Sequence, residues 1–351
     1  MRLFRLSFLF AVLASITTSS AFGAARIHAF EPAGATYTQV NGINLSGSVV
    51  GWYLDFQNDG HGFLRDVSGS ITTFDVPGAS SGYLQGTFAW AINDSGVVVG
   101  TYSTAITTFH GFLRDTAGNF TTFDIPGETI GGYSLGPQGI NAQEQIAGIA
   151  LGSPGVNGFL GVADGTFSVF TPNGGDTQHV GVNSVGEAAG TYADTAVGAL
   201  HGFSRDSSGN LATFDVPGAI NTKAGEGTWA YSMNDVGAIA GSWVDTNFVG
   251  HGYVRAPSGT IKSYDVPGAS GFGGGSFINA TGTVASTWYD SNFVLHGLVR
   301  DRVGTITSFD VPNSSKRPGQ GTLTTGINGH GEICGYFAGS KGKWYGFVRT
   351  P

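Results

Sequence analysis

The chain has a single cysteine, Cys334, among 351 residues, so no disulfide can form within it. Cys334 lies in Glu332-Ile-Cys-Gly-Tyr336, where other copies of a repeat carry Val99, Ala189 or Ala240. That setting marks a small buried hydrophobe rather than a reactive thiol. Charge is also scarce: 11% of residues are charged, with 16 Lys and Arg against 24 Asp and Glu and a net charge of -8. No basic run is present to neutralise phosphates, which excludes nucleic acid as a partner and argues against electrostatic attachment to a membrane. Long apolar runs are missing after the first residues. Arg2 and Arg5 precede an apolar stretch at 6–16, and small residues follow at 21–25. This predicts a signal peptide over 1–25, cleaved after Gly23 or Ala25, because the stretch is too short to span a bilayer comfortably. The mature chain, 26–351, is expected to be secreted or periplasmic and soluble, with no membrane span.

Familiar catalytic signatures are lacking as well. There is no Gly-x-Ser-x-Gly elbow, P-loop, His-Glu-x-x-His helix or Asp-x-Asp-x-Asp-Gly calcium loop. No cofactor and no metal is expected.

Glycine, by contrast, is abundant, at 59 residues, and it is ordered by a repeat. The unit reads His61-Gly-Phe-Leu-Arg-Asp, then Ile71-Thr-Thr-Phe-Asp-Val-Pro-Gly, then Ala91-Ile-Asn-Asp-Ser-Gly-Val-Val-Val-Gly. It recurs with a period of roughly 45 to 50 residues, which signals stacked or radial repeats. One hairpin centres on Asn44, Asn93, Asn141, Asn183, Asn234, Asn279 and Asn328, and Asn and Gly suit its tight turn. A second hairpin starts at His61, His110, Asn157, His201, His251, His296 and Tyr345, and its return strand ends before a proline. Two hairpins make one four-stranded antiparallel blade, and seven copies make an all-β, seven-bladed β-propeller spanning 26–351. The last copy is one strand short, and the N-terminus supplies an orphan strand at 27–34 to close the ring. An open solenoid is the alternative, but it has no use for that offset.

The pairing of His-Gly-Phe-Leu with Ala-Ile-Asn-Asp-Ser-Gly-Val-Val-Val-Gly resembles the bacterial HAF-family extracellular repeat proteins. The resemblance covers essentially the whole mature chain. Here the tripeptide is His-Gly-Phe, and the return strand reads Phe-Asp-Val-Pro-Gly. The resemblance implies export and a repeat fold, and it implies no activity and no catalytic residue.

Two sets of residues invite a role. His61, His110, His201, His251 and His296 sit in different blades and cannot converge on one ion. Each is separated by the same spacing from an acid: Asp75, Asp124, Asp215, Asp265 and Asp310. Blade three loses His, Arg and Asp together, carrying Asn157, Gly161 and Thr171, which predicts a structural cross-strand His–Asp or Arg–Asp contact. The recurring arginines (Arg65, Arg114, Arg205, Arg255, Arg300 and Arg349) are expected to bond a neighbouring carboxylate or carbonyl.

The second set lies between hairpins: Tyr53 with Asp55, Tyr192 with Asp194, Trp243 with Asp245, and Trp288 with Asp290. Aromatic rings beside carboxylates suit sugars, while blade packing and turn capping are the competing structural reading. These eight are the candidate ligand-binding residues. The variable loops after Pro-Gly, with Tyr83, Tyr133 and Phe272, emerge on the same face, where binding is commonest. The expectation is a binding module for extracellular glycan or a surface protein. The alternative is a secreted polysaccharide hydrolase or lyase using loop carboxylates, Asp245 and Asp290 first. A structural surface protein without a small ligand is the third possibility.

Overall fold

In the computed structural model, residues 25–132, 135–153 and 155–351 are described. The leader read at 1–25, up to residue 24, and Tyr133 lie outside them. The described strands, β1–β28 in chain order, form seven four-stranded antiparallel sheets. Blade one comprises β2 (Tyr37–Ile43), β3 (Val49–Leu54), β4 (Gly60–Arg65) and β5 (Ile71–Phe74). The first strands of successive blades touch one another all the way round, so they line the axis. The last blade is β26 (Thr322–Ile327), β27 (Ile333–Ala338) and β28 (Trp344–Thr350). It is completed by β1 (Arg26–Phe30), which pairs from Arg26↔Thr350 to Phe30↔Gly346. The ring is thus sealed by main-chain pairing between its two ends, which covers the edge of β28 and makes the last blade four-stranded like the other six.

The His-Gly-Phe tripeptide explains itself in packing. Its third residue is fully buried in every blade: Phe63, Phe112, Phe159, Phe203, Tyr253, Leu298 and Phe347. Burying one such ring stabilises by about 2–3 kcal/mol. The middle glycine seats the return-strand aromatic, and a Cβ on Gly62 would lie 2.4 Å from the Phe74 ring. A second glycine, on the preceding strand, lets two backbones close up. A Cβ on Gly190 would lie 1.8 Å from the His179 carbonyl and 2.8 Å from Phe203. Blade six has Ser286 there, facing Ser276 across a register shift that skips Gly273–Gly275, and its core residue is the smaller Leu298.

Among the contacts that join blades, two recur around the ring. The seven turn asparagines form a closed circle: each side-chain Nδ2 donates to the backbone carbonyl of the next blade's asparagine at 2.9–3.3 Å, and Asn328 returns to Asn44. Each arginine lies over the return-strand aromatic of the preceding blade, as Arg65 over Phe30 at 5.1 Å and Arg255 over Phe214 at 4.6 Å. Of the two expected partners, carboxylate or carbonyl, the carbonyl is the one found: Arg65, Arg114 and Arg300 reach the carbonyls of Asp66, Asp115 and Asp301 at 3.3–3.4 Å. The cation–π stack between blades is a further contact that the repeat did not suggest. In blade three Gly161 leaves room for Phe167, which stacks on Phe123 at 5.5 Å in the arginine's place.

Cys334 is buried, and burial pushes its thiol up to about 12, so it stays protonated. Among the described residues no helix is long and apolar enough to cross a membrane.

Candidate functional site

Antiparallel order places the Asn turns and the outer-hairpin turns on one face, and the loops between hairpins and between blades on the other. The loop face carries the candidate residues. His61 Nδ1 lies 3.0 Å from Asp75, and the same bond joins His110 to Asp124, His201 to Asp215, His251 to Asp265 and His296 to Asp310. On the other side of four of these imidazoles stand the loop carboxylates. Nε2 lies 3.9 Å from Asp55 in blade one, 3.2 Å from Asp194 in blade four, 3.6 Å from Asp245 in blade five and 3.8 Å from Asp290 in blade six. The His61 imidazole is held above its usual pKa, first by the hydrogen bond to Asp75 and then by the charges of Asp75, Asp55 and Asp59.

The aromatic before each loop acid lies flat on that histidine. Ring centroids are 5.0 Å apart for Tyr53–His61, 5.2 Å for Tyr192–His201, and 4.4 Å for both Trp243–His251 and Trp288–His296. Tyr53, Tyr192 and Trp288 are buried. The acids also cap their own turns: Asp245 Oδ1 accepts from the Asn247 and Val249 amides at 2.8 Å, and Asp290 Oδ1 from Asn292 and Val294. The amides of Val197, Ala196 and Gly198 and the His201 ring hold the Asp194 carboxyl down at about 2. Carboxylates so held accept hydrogen bonds and are poor proton donors at neutral pH.

Trp243 opens into a cavity of about 360 Å³ between blades five and six. Trp229, Tyr231, Phe272 and Tyr289 share its wall, and Phe248 stands at its rim. Burial pushes the Tyr231 phenol up to about 12, leaving a neutral hydroxyl beside Ser242. Phe293 extends the aromatic surface by stacking on Tyr289 at 5.6 Å. Lys223 sits 4.9 Å above Phe248 and is itself held by Glu226 at 3.1 Å, so the loop over 215–227 supports the rim.

The backbone under these rings is strained. In each capped turn the residue just before the one that closes it has positive φ: Asn58 in blade one (65°) and, in a turn one residue longer, Gly198 in blade four (73°). Blades five and six place Phe248 (64°) and Phe293 (58°) there, 59% and 61% exposed. A bulky residue pays about 1–2 kcal/mol for that conformation, against which Lys223 over Phe248 and Tyr289 beside Phe293 contribute about 0.5–1 kcal/mol each. A sequence reading centred on Trp243 and Trp288 passed over these two phenylalanines. Aligning the turns on the residue that closes them exposes the two rings, because Asn58 and Gly198 occupy the same place in blades one and four.

Among the described residues, no three His, Cys, Asp or Glu side chains gather closely enough to hold a metal ion.

No protein-family model and no curated protein matches the sequence. Solved structures do. A streptogramin B lyase superposes with a TM-score of 0.59 at 17% identity, over 93% of this chain and 98% of its own. The virginiamycin B lyase from Staphylococcus aureus gives 0.59 at 14% identity, over 93% and 99%. The β-propeller domain of the Trilobed protease from Pyrococcus furiosus gives 0.59 at 7% identity, over 89% and 95%. At such identities the likeness is one of fold, and a fold this widely used carries no activity with it.

Proposed function

We propose that this chain is an exported carbohydrate-binding propeller whose ligand occupies the aromatic cleft between blades five and six. Export rests on the leader pattern and on the resemblance to the HAF extracellular repeats. The observation that carries the binding reading is the pair of exposed phenylalanines, Phe248 and Phe293, in a backbone conformation that Asn and Gly serve elsewhere. A cost in stability retained at the rim of an aromatic cleft is supported by what the rings touch, and a sugar's C–H face suits such rings. Tyr231 and Ser242 supply hydroxyls for orientation. Asp245 and Asp290 act here as turn caps that keep the two rings in place.

A glycan array probed with residues 26–351 tests the reading. Retention of one sugar class, weakened at least about tenfold by Trp243→Ala, is the expected result. A blank array with a protein ligand recovered instead would move the site to a surface-protein partner. Turnover of a polysaccharide that survives both Asp245→Asn and Trp243→Ala would place function elsewhere on the molecule.

A further inference from the structure

The same pair of blades forms a second concavity on the opposite, turn face. It has a volume of about 450 Å³, within the range that small organic ligands occupy. Val254, Ile278 and Ala238 give it apolar lining, Lys262, Arg300 and Arg302 give it charge, and no Asp or Glu lines it. That is unusual in a chain of net charge -8.

The repeat shows how this groove differs from its sisters. The outer-hairpin turn begins with Asp66, Asp115, Asp206 and Asp301 in blades one, two, four and six. Each carboxylate accepts an amide of its own turn, at 2.9 Å from Ser70, 2.8 Å from Asn119, 2.9 Å from Asn210 and 2.8 Å from Thr305. Blade five has Ala256 instead. Its turn still closes through Gly259 N to Ala256 O at 2.8 Å, but the cap is given up. Lys262 stands where the other blades have Thr72, Thr121, Ser168, Ala212, Thr307 and His28, and Arg302 stands where they have Val67, Thr116, Ala163, Ser207 and Pro257. Among the described residues the lysine and arginine ion pairs are those of Lys223, Lys316 and Lys343, so Lys262 and Arg302 are free to meet an anion. One carboxylate has gone and two cations have come at a single groove, at the expense of a turn cap.

We propose that this groove binds an anionic amphiphile, with the apolar body on Val254 and Ile278 and a carboxylate or phosphate head between Lys262, Arg300 and Arg302. The site is independent of the loop-face cleft. Titration calorimetry of residues 26–351 with octanoate and octyl phosphate tests it, with octanol and inorganic phosphate as half-ligands. Either anion is expected to bind at least about tenfold more tightly than both half-ligands, and the tighter of the two identifies the head group. Ala256→Asp, which restores the residue of four sister turns, is expected to weaken that binding at least about tenfold while thermal unfolding stays level or rises. Octanol binding as tightly as the anions, an Ala256→Asp protein that binds like the parent, or no heat with either anion would each overturn the proposal.

Discussion

The two faces of this ring solve the same problem with different residues. Both need tight turns containing a residue of positive φ. On the turn face the Asn hairpins give that place to Gly47, Gly96, Gly186, Gly237, Gly282 and Gly331, with Glu144 as the exception in blade three. There every buried asparagine bonds the next blade, and the conformation costs little. On the loop face, blades five and six give the place to Phe248 and Phe293. The difference teaches that strain need not be inferred from function. It is read by comparing equivalent positions within one chain, and it points to the cleft the rings border.

The comparison can be broken most forcefully at the asparagine circle. Asn234→Ala removes the bond to the Asn279 carbonyl at 2.9 Å and the cap on the Ala238 amide at 2.9 Å. The loss expected in denaturant unfolding is about 2–4 kcal/mol, because buried groups are left unpaired. A loss below about 0.5 kcal/mol would mean the circle is ornamental.

A smaller effect separates two blade junctions. Thr87 Oγ1 accepts the Val76 amide at 3.0 Å, and Thr228 and Thr322 accept Val216 and Val311 likewise. Thr38 and Thr177 hydroxyls are buried without a partner. At the Val76 position blades seven and three have Pro32 and Pro172, which possess no N–H. Thr87→Val should therefore cost about 1 kcal/mol, and Thr38→Val should be neutral or stabilising. Equal losses in the two melting curves would refute this account of the pairing.

The faces should also respond differently to pH. In the asparagine circle Asn234 bonds only backbone groups, although Asn183 and Asn328 also donate to the Glu187 and Glu332 carboxylates, whereas His61 on the loop face has its pKa raised by Asp75. Its contribution is full below the unfolded-state value of about 6.5 and fades as pH rises through the raised value. With the Asp75 side chain 51% exposed, the contact is worth at most about 1 kcal/mol. The difference in melting temperature between the parent and His61→Asn should shrink from pH 6 to pH 8. Asp194, held at about 2, acts in the opposite sense, supporting the fold above about pH 4 and losing that support only as pH falls toward 2. A gap that widens with rising pH would reverse the sign of the His61 contact.

Architecture was legible because the signals are local. Asn and Gly mark the first hairpin, proline ends the return strand, and the orphan strand at the N-terminus predicts closure. The Arg stacks were not legible, since Arg65 meets Phe30 across a blade boundary and one repeat unit contains no sign of that neighbour. Trp243 and Trp288 occupy equivalent positions in the repeat, yet Trp243 lines the cleft while Trp288 is buried on His296. The cleft itself depends on the approach of two blades and on the Gly273–Gly275 register shift, which no motif encodes.

Phe248→Asn has the smallest expected effect on folding and is the most direct test of the central claim. Asn already serves the same position at Asn58, so stability should rise by a few tenths to about 1 kcal/mol. Glycan retention measured on the same protein should fall at least about tenfold. Retained binding, or a protein that melts lower, would show that the phenylalanine belongs to the fold and would contradict a ligand-bearing cleft between blades five and six.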